Sequence, residues 1–141
     1  MGDKNVVMSE ELAEKEFERW ANLANIDLSG YAEDEVVAFL KIKKRISNAF
    51  KNGSLILNDD GTLEYEVSQA SPAGYAGDKV KISGLNGRAW LAADKYKSEE
   101  QIHKLIAVAS AITGKDTGWF ASLASGDFLF FTNIVSLFMN T

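Results

Sequence analysis

The chain has no cysteine among its 141 residues, and it has one histidine, His103. The missing thiols exclude a disulfide scaffold, a thiol nucleophile and thiolate metal ligands. A single histidine cannot build a histidine metal site, and no sequence pattern supplies it with a nucleophile and an orienting carboxylate. We therefore predict a protein without a metal, a cofactor or catalytic residues. Carboxylates distant in sequence could still converge, so an enzyme is kept as one alternative.

Long apolar runs are also missing. The longest apolar stretch, Phe128–Met139, is shorter than the about 20 residues that a membrane span requires. Met1–Met8 has no apolar stretch after a positive start, so we expect no signal peptide. The formal net charge of −5 favours solubility and disfavours polyphosphate binding by the chain as a whole. These features predict a soluble, intracellular, single-domain protein that does not bind membranes.

Two amphipathic helices are predicted before residue 53. Ser9 is a candidate N-cap for the first helix, and the second is expected from about Ala32 to Lys51. The first has a predicted apolar stripe of Leu12, Phe17, Trp20, Ala21 and Ala24. The second has a predicted apolar face of Val36, Phe39, Leu40, Ile42, Ile46, Ala49 and Phe50. Residues 1–53 are thus predicted to be a helical pair, either an extension or part of the single domain.

The hydrophobic period then changes from 3.6 to 2, which indicates strands. Alternating apolar residues flank the turn Asn58–Gly61, a strong hairpin pattern, and Val80 and Ile82 indicate a third short strand. Only helices are predicted after Leu85. They are a helix from Asn86 to about Tyr96, one capped by Ser98 and ended by Gly114, a short helix over Thr117–Ala124, and a last helix starting at Ser125 or Asp127.

The predicted fold class is therefore α+β. It has two N-terminal helices, a small antiparallel hairpin sheet of two or three strands, and a helical C-terminal half. Residues 54–141 form the hairpin plus the helical region.

The last helix is apolar on nearly every side. One charge, Asp127, occurs between Thr117 and Thr141. A helix that is apolar all round must be buried on all sides, either as a core helix or with one side against a partner. If one side meets a partner, the aromatic residues are the candidate contacts, because aromatics dominate interface energetics. These candidate partner-binding residues are Trp119, Phe120, Phe128, Phe131 and Phe138.

One basic run, Lys41, Lys43, Lys44 and Arg45, keeps a small regulatory or nucleic-acid-binding module as an alternative. The run lies towards the C-terminal end of a helix, where the helix macrodipole favours basic residues. No aromatic side chain is interleaved in it for stacking on bases. A solvated helix end is therefore the preferred interpretation, and we do not expect nucleic acid binding.

The stretch from Lys79 to the C-terminus resembles the phage tail assembly chaperone family. The likeness lies in the order of its elements. A strand, Val80–Ile82, leads into Gly84–Tyr96 and then into an amphipathic helix ending at Ala109–Gly114. A short leucine-containing segment, Phe120–Leu123, and an aspartate-led apolar helix from Asp127 to Phe138 follow.

The resemblance implies a non-enzymatic protein of the infected or lysogenic host's cytoplasm that is absent from the mature virion. It implies binding to the tape-measure protein, which is kept soluble, and to tail-tube subunits. It also implies self-association, so a homo-oligomer is expected. A chaperone of this kind requires surface that an apolar, helical client can contact.

Overall fold

The computed structural model describes residues 7–24, 26, 33–68, 76–84, 91 and 101–139, and the fold is given for these. The predicted helix from Asn86 to Tyr96 and the cap at Ser98 lie outside the described residues. The described elements are α1 (Glu10–Leu23), α2 (Glu33–Lys51), β1 (Leu55–Leu57), β2 (Leu63–Glu66), β3 (Lys79–Ile82), α3 (Gln101–Thr113), α4 (Thr117–Ala121) and α5 (Ser125–Met139).

Helices α1 and α2 pack side by side in opposite directions. Ser9 caps α1, since its hydroxyl oxygen accepts a hydrogen bond from the Leu12 N–H at 3.2 Å. The opposite orientation follows from two ion pairs, Lys51 with Glu10 at 3.9 Å and Lys43 with Glu18 at 4.0 Å. The predicted helical pair is confirmed.

Some residues assigned to the apolar faces of these helices point outward, which corrects the prediction. Leu12 is 54% exposed and Leu40 is 52% exposed. The buried stripe of α1 runs through Ala13 and Phe17, and successive residues on a helix are about 100° apart. Leu12 therefore lies beside the buried stripe of α1. On α2, the ring of Phe39 lies 6.3 Å from the ring of Phe17 of α1, and the next residue, Leu40, is turned away from that contact.

The three strands form one antiparallel sheet in the order β1-β2-β3. Gly61 adopts φ +89 in the β1–β2 turn, a conformation that suits glycine. The inward residues alternate as predicted and are buried: Leu55, Leu57, Leu63, Tyr65, Val80 and Ile82. The predicted hairpin and third strand are confirmed.

Helices α3, α4 and α5 complete the C-terminal half and confirm the α+β class. Gly114, at φ +78, follows the end of α3, and Asp116 caps α4 through the Trp119 N–H at 2.8 Å. Helix α4 ends at Ala121, earlier than the predicted Ala124.

Helix α5 lies largely in the core, and its Phe138 ring meets the Trp20 ring of α1 at 5.7 Å. One cluster of buried side chains joins α1, α2, the sheet and α3 to α5. Within the described ranges, no helix combines the length and apolar character needed to cross a membrane.

Candidate functional site

Asp127 is the one charged side chain that is buried among the described residues, at 1% exposure. Its carboxylate accepts three hydrogen bonds. The Tyr65 hydroxyl donates to Oδ1 at 2.6 Å, and the Ser68 N–H donates to the same oxygen at 3.1 Å. The Ser68 hydroxyl donates to Oδ2 at 2.7 Å. Both carboxylate oxygens are therefore occupied by this chain's own donors.

The fold explains why these three residues meet. Asp127 lies in the first turn of α5, where a negative charge is favoured by the helix dipole. Tyr65 is on the inward side of β2, and Ser68 follows that strand. The cluster thus fastens the start of α5 to the end of β2. A buried carboxylate is tolerated when donors compensate its lost hydration, as they do here.

The Tyr65 ring is held in place by aromatic neighbours. It stacks on the Phe130 ring, with centroids 4.0 Å apart, and meets the Phe131 ring edge-on at 5.3 Å. Burial raises the pKa of the Tyr65 hydroxyl well above its ordinary value, and the hydrogen bond to Asp127 and the charge of that carboxylate raise it further. Tyr65 therefore remains a protonated donor, and we interpret the cluster as a structural fastening.

Because of Tyr65, we predict that the folded chain loses stability in alkaline solution. Because its pKa is raised in the folded state, its contribution is fully present below the unfolded value of about 10 and is lost as the pH rises above it. We expect the free energy of unfolding of the wild-type chain to fall more steeply than that of Tyr65→Phe between about pH 10 and pH 11. The difference should approach about 1 kcal/mol per pH unit. Urea unfolding at several pH values measures it, and equal slopes would contradict the assignment.

The structure places four of the five candidate partner-binding aromatics in the core. Trp119, Phe120, Phe131 and Phe138 are buried, and Phe128 is half-buried. The rings of Trp119, Phe120 and Phe131 lie edge-to-face on one another, 5.0 to 5.8 Å apart. Of the five, Phe128 is the one that is not buried, so a partner could contact the other four only after a rearrangement of the core.

The outward side of α5 carries no charge. Asp127 is the one ionisable residue of the helix, and it points inward. Leu129 is 42% exposed beside the half-buried Phe128, and the remaining outward residues are small or neutral. We call this outward side, made of Ser125, Gly126, Phe128, Leu129, Asn133 and Ser136, the neutral face.

A spacing in the sequence could have revealed this face. Asp127 lies three, four and seven residues before Phe130, Phe131 and Ile134, which places all four on one side of a helix. That side is the buried one. The single charged residue of α5 is therefore buried, and Leu129 lies on the exposed side of the helix.

The basic run of α2 borders an open depression of about 350 Å³, lined by Lys41, Lys44, Arg45 and Asn48. No carboxylate is among these lining residues. His103 lies exposed on α3. Among the described residues, no three His, Cys, Asp or Glu side chains come together in a way that could hold a metal ion.

Comparisons with family models, with curated proteins and with solved structures find no match to this chain.

Proposed function

We propose that this chain is a non-enzymatic phage or prophage tail assembly chaperone that binds the tape-measure and tail-tube proteins in the host cytoplasm and leaves before the virion is complete. The neutral face of α5 is the observation that carries the proposal. It presents an apolar residue, Leu129, on a helix whose only charge is turned into the core.

A client that covers part of the surface must displace the water bound there, and charged groups resist this most. The fully buried centres of protein interfaces are depleted of charged residues, because a charge that loses its water must be paired. A client helix that covers the neutral face displaces water from amide, hydroxyl and apolar groups only. Leu129 and Phe128 then provide the apolar contact that an amphipathic client helix requires.

The order of the described C-terminal elements also supports the proposal. Strand β3 comes first and is followed, among the described elements, by α3, α4 and α5. Gly114 follows α3, and Asp127 lies in the first turn of α5. The described elements follow the order on which the resemblance to the tail assembly chaperones rests, and the Gly84–Tyr96 segment of that order lies mostly outside the described residues.

Leu129→Lys is expected to reduce client binding about tenfold, since it puts a charge into the centre of the contact. The full chain is co-expressed with the tape-measure and tail-tube proteins of the same genome, and co-purification and tape-measure solubility are measured. Ile56→Lys is the matched control, because Ile56 is 48% exposed but lies on the sheet. Equal binding by Leu129→Lys and wild type would exclude the neutral face. Failure of the wild-type chain to bind or solubilise either client would refute the chaperone function.

The depression at the end of α2 favours a second candidate function, nucleic acid binding. Its three cations lie together without an acidic neighbour in the lining. A shift of duplex DNA that weakens with added salt, and that disappears in Lys44→Glu, would favour this function over the chaperone.

A further inference from the structure

Four exposed residues of α2 follow the spacing of a coiled-coil seam. Glu33, Val37, Leu40 and Lys44 are separated by steps of four, three and four residues. Val37 is 63% exposed and Leu40 is 52% exposed, and Glu33 and Lys44 are also exposed. We call these four residues the α2 seam. It lies in the half of the chain that the tail-chaperone resemblance does not cover.

The seam is separate from the side of α2 that packs in the core. The core side buries Ile46, Ala49 and Phe50. Within the described part of the chain, neither Glu33 nor Lys44 forms an ion pair with another residue. The seam therefore offers two apolar residues between one acid and one base, all available to another molecule.

We propose that two copies of this chain associate through the α2 seam, with the two α2 helices antiparallel. In this arrangement Val37 faces Leu40 of the second copy, and Leu40 faces its Val37. Glu33 of each copy faces Lys44 of the other. In antiparallel coiled coils, an a position of one helix faces a d position of the other. Val37 and Lys44 are one of these two kinds of position, and Glu33 and Leu40 are the other. The contact is closed and two-fold symmetric, as expected for a dimer.

Charge complementarity indicates that the partner covering the α2 seam is a second copy of the chain. It also favours the antiparallel direction of the two α2 helices. The acidic start of the seam complements its own basic end once the second helix is reversed. A parallel pair would set Glu33 against Glu33 and Lys44 against Lys44, which is repulsive. Reversal also opposes the two helix dipoles.

The neighbourhood of Leu40 leaves room for a facing helix. Leu40 lines an open groove of about 340 Å³, whose other walls include Glu14 on α1 and Lys43 on α2. A side chain of the second copy can enter beside Leu40, as a knob enters a hole. The seam spans about three helical turns, so the contact is small. We therefore expect a weak, concentration-dependent dimer rather than a permanent one.

Sedimentation equilibrium of the purified full chain, from about 10 µM to about 1 mM, tests the dimer. Leu40→Glu is expected to raise the dimer dissociation constant at least about tenfold. The dimer contains two Val37–Leu40 pairs related by symmetry, and the substitution removes both. Leu12→Glu is the matched control, since Leu12 is similarly exposed on α1. A monomer at every concentration, or a dimer equally weakened by both variants, would overturn the proposal.

A charge exchange tests the direction of the helices. Glu33→Lys and Lys44→Glu should each weaken the dimer about tenfold, because each sets like charges against each other. The double variant should restore the dimer, since the two exchanged positions again carry opposite charges where they face each other. Loss without restoration in the double variant would refute the antiparallel pairing. Far-ultraviolet circular dichroism confirms that each variant is folded. Client binding is measured separately, so failure of the dimer leaves the chaperone test unaffected.

Discussion

Asp127→Ala is expected to lower the free energy of unfolding by about 3 kcal/mol. The substitution removes the acceptor for the Tyr65 hydroxyl and for both donors of Ser68, and it leaves the Tyr65 hydroxyl buried without this partner. Hydrogen bonds to a charged group contribute more than neutral ones, and a buried group left unpaired retains its desolvation cost. Urea unfolding at neutral pH measures the loss, with a constant m-value showing that the transition remains two-state.

The control for this variant is Asp59→Ala in the exposed β1–β2 turn, which should change stability by about 0.5 kcal/mol or less. Asp127→Asn keeps a carbonyl oxygen and the side-chain volume, so it should lose less than alanine. Tyr65→Phe in a double-mutant cycle with Asp127→Ala should show a coupling of about 1 kcal/mol or more. A loss at Asp127 no larger than at Asp59 would show that the cluster does not fasten α5 to the sheet.

The elements that can be predicted from sequence are those whose signals are local. The Ser9 cap lies three residues from the amide that it accepts from, and the β1–β2 turn is contained within residues 58–61. Such signals need no knowledge of the rest of the fold. The start of α1, the bounds of α2 and the position of the hairpin turn follow the predictions closely for this reason.

The side of each helix that is buried is harder to predict at its edges. An amphipathic stripe is broad, and the residues at its margins are buried or exposed according to the neighbouring element. Leu12 and Leu40 are both at such margins, and both are exposed. The α2 seam depends on this outcome, since it requires Leu40 to face away from the core of its own chain.

The Asp127 cluster lies beyond sequence reasoning because its contacts are distant in the chain. The bond from Tyr65 crosses 62 residues, so no local pattern can name the partner. The charge-poor C-terminal segment leaves two interpretations open, a core helix and a helix facing a partner. The structure assigns most of α5 to the core and leaves the neutral face outside it.

Phe131→Ala is expected to destabilise the chain by about 3–5 kcal/mol, which is the usual cost of emptying a buried phenylalanine site. The Phe131 ring is 2% exposed and meets the rings of Tyr65, Trp119 and Phe120 edge-on, at 5.3, 5.8 and 5.3 Å. Aromatic pairs in this geometry add to the effect of burial alone. Urea unfolding measures the loss, and near-ultraviolet circular dichroism reports the loosening of the aromatic cluster.

Leu129→Ala on the same helix is the contrasting variant. Leu129 is partly exposed, so its truncation should cost about 1 kcal/mol or less, while client binding should weaken. The two variants therefore distinguish a residue that stabilises the core, Phe131, from a residue expected to contact the client, Leu129, although the two are only two positions apart on α5. If Phe131→Ala remained fully stable and lost client binding, the ring would be a contact residue and α5 would have to leave the core to expose it. If Leu129→Ala unfolded the chain, the neutral face would be part of the core.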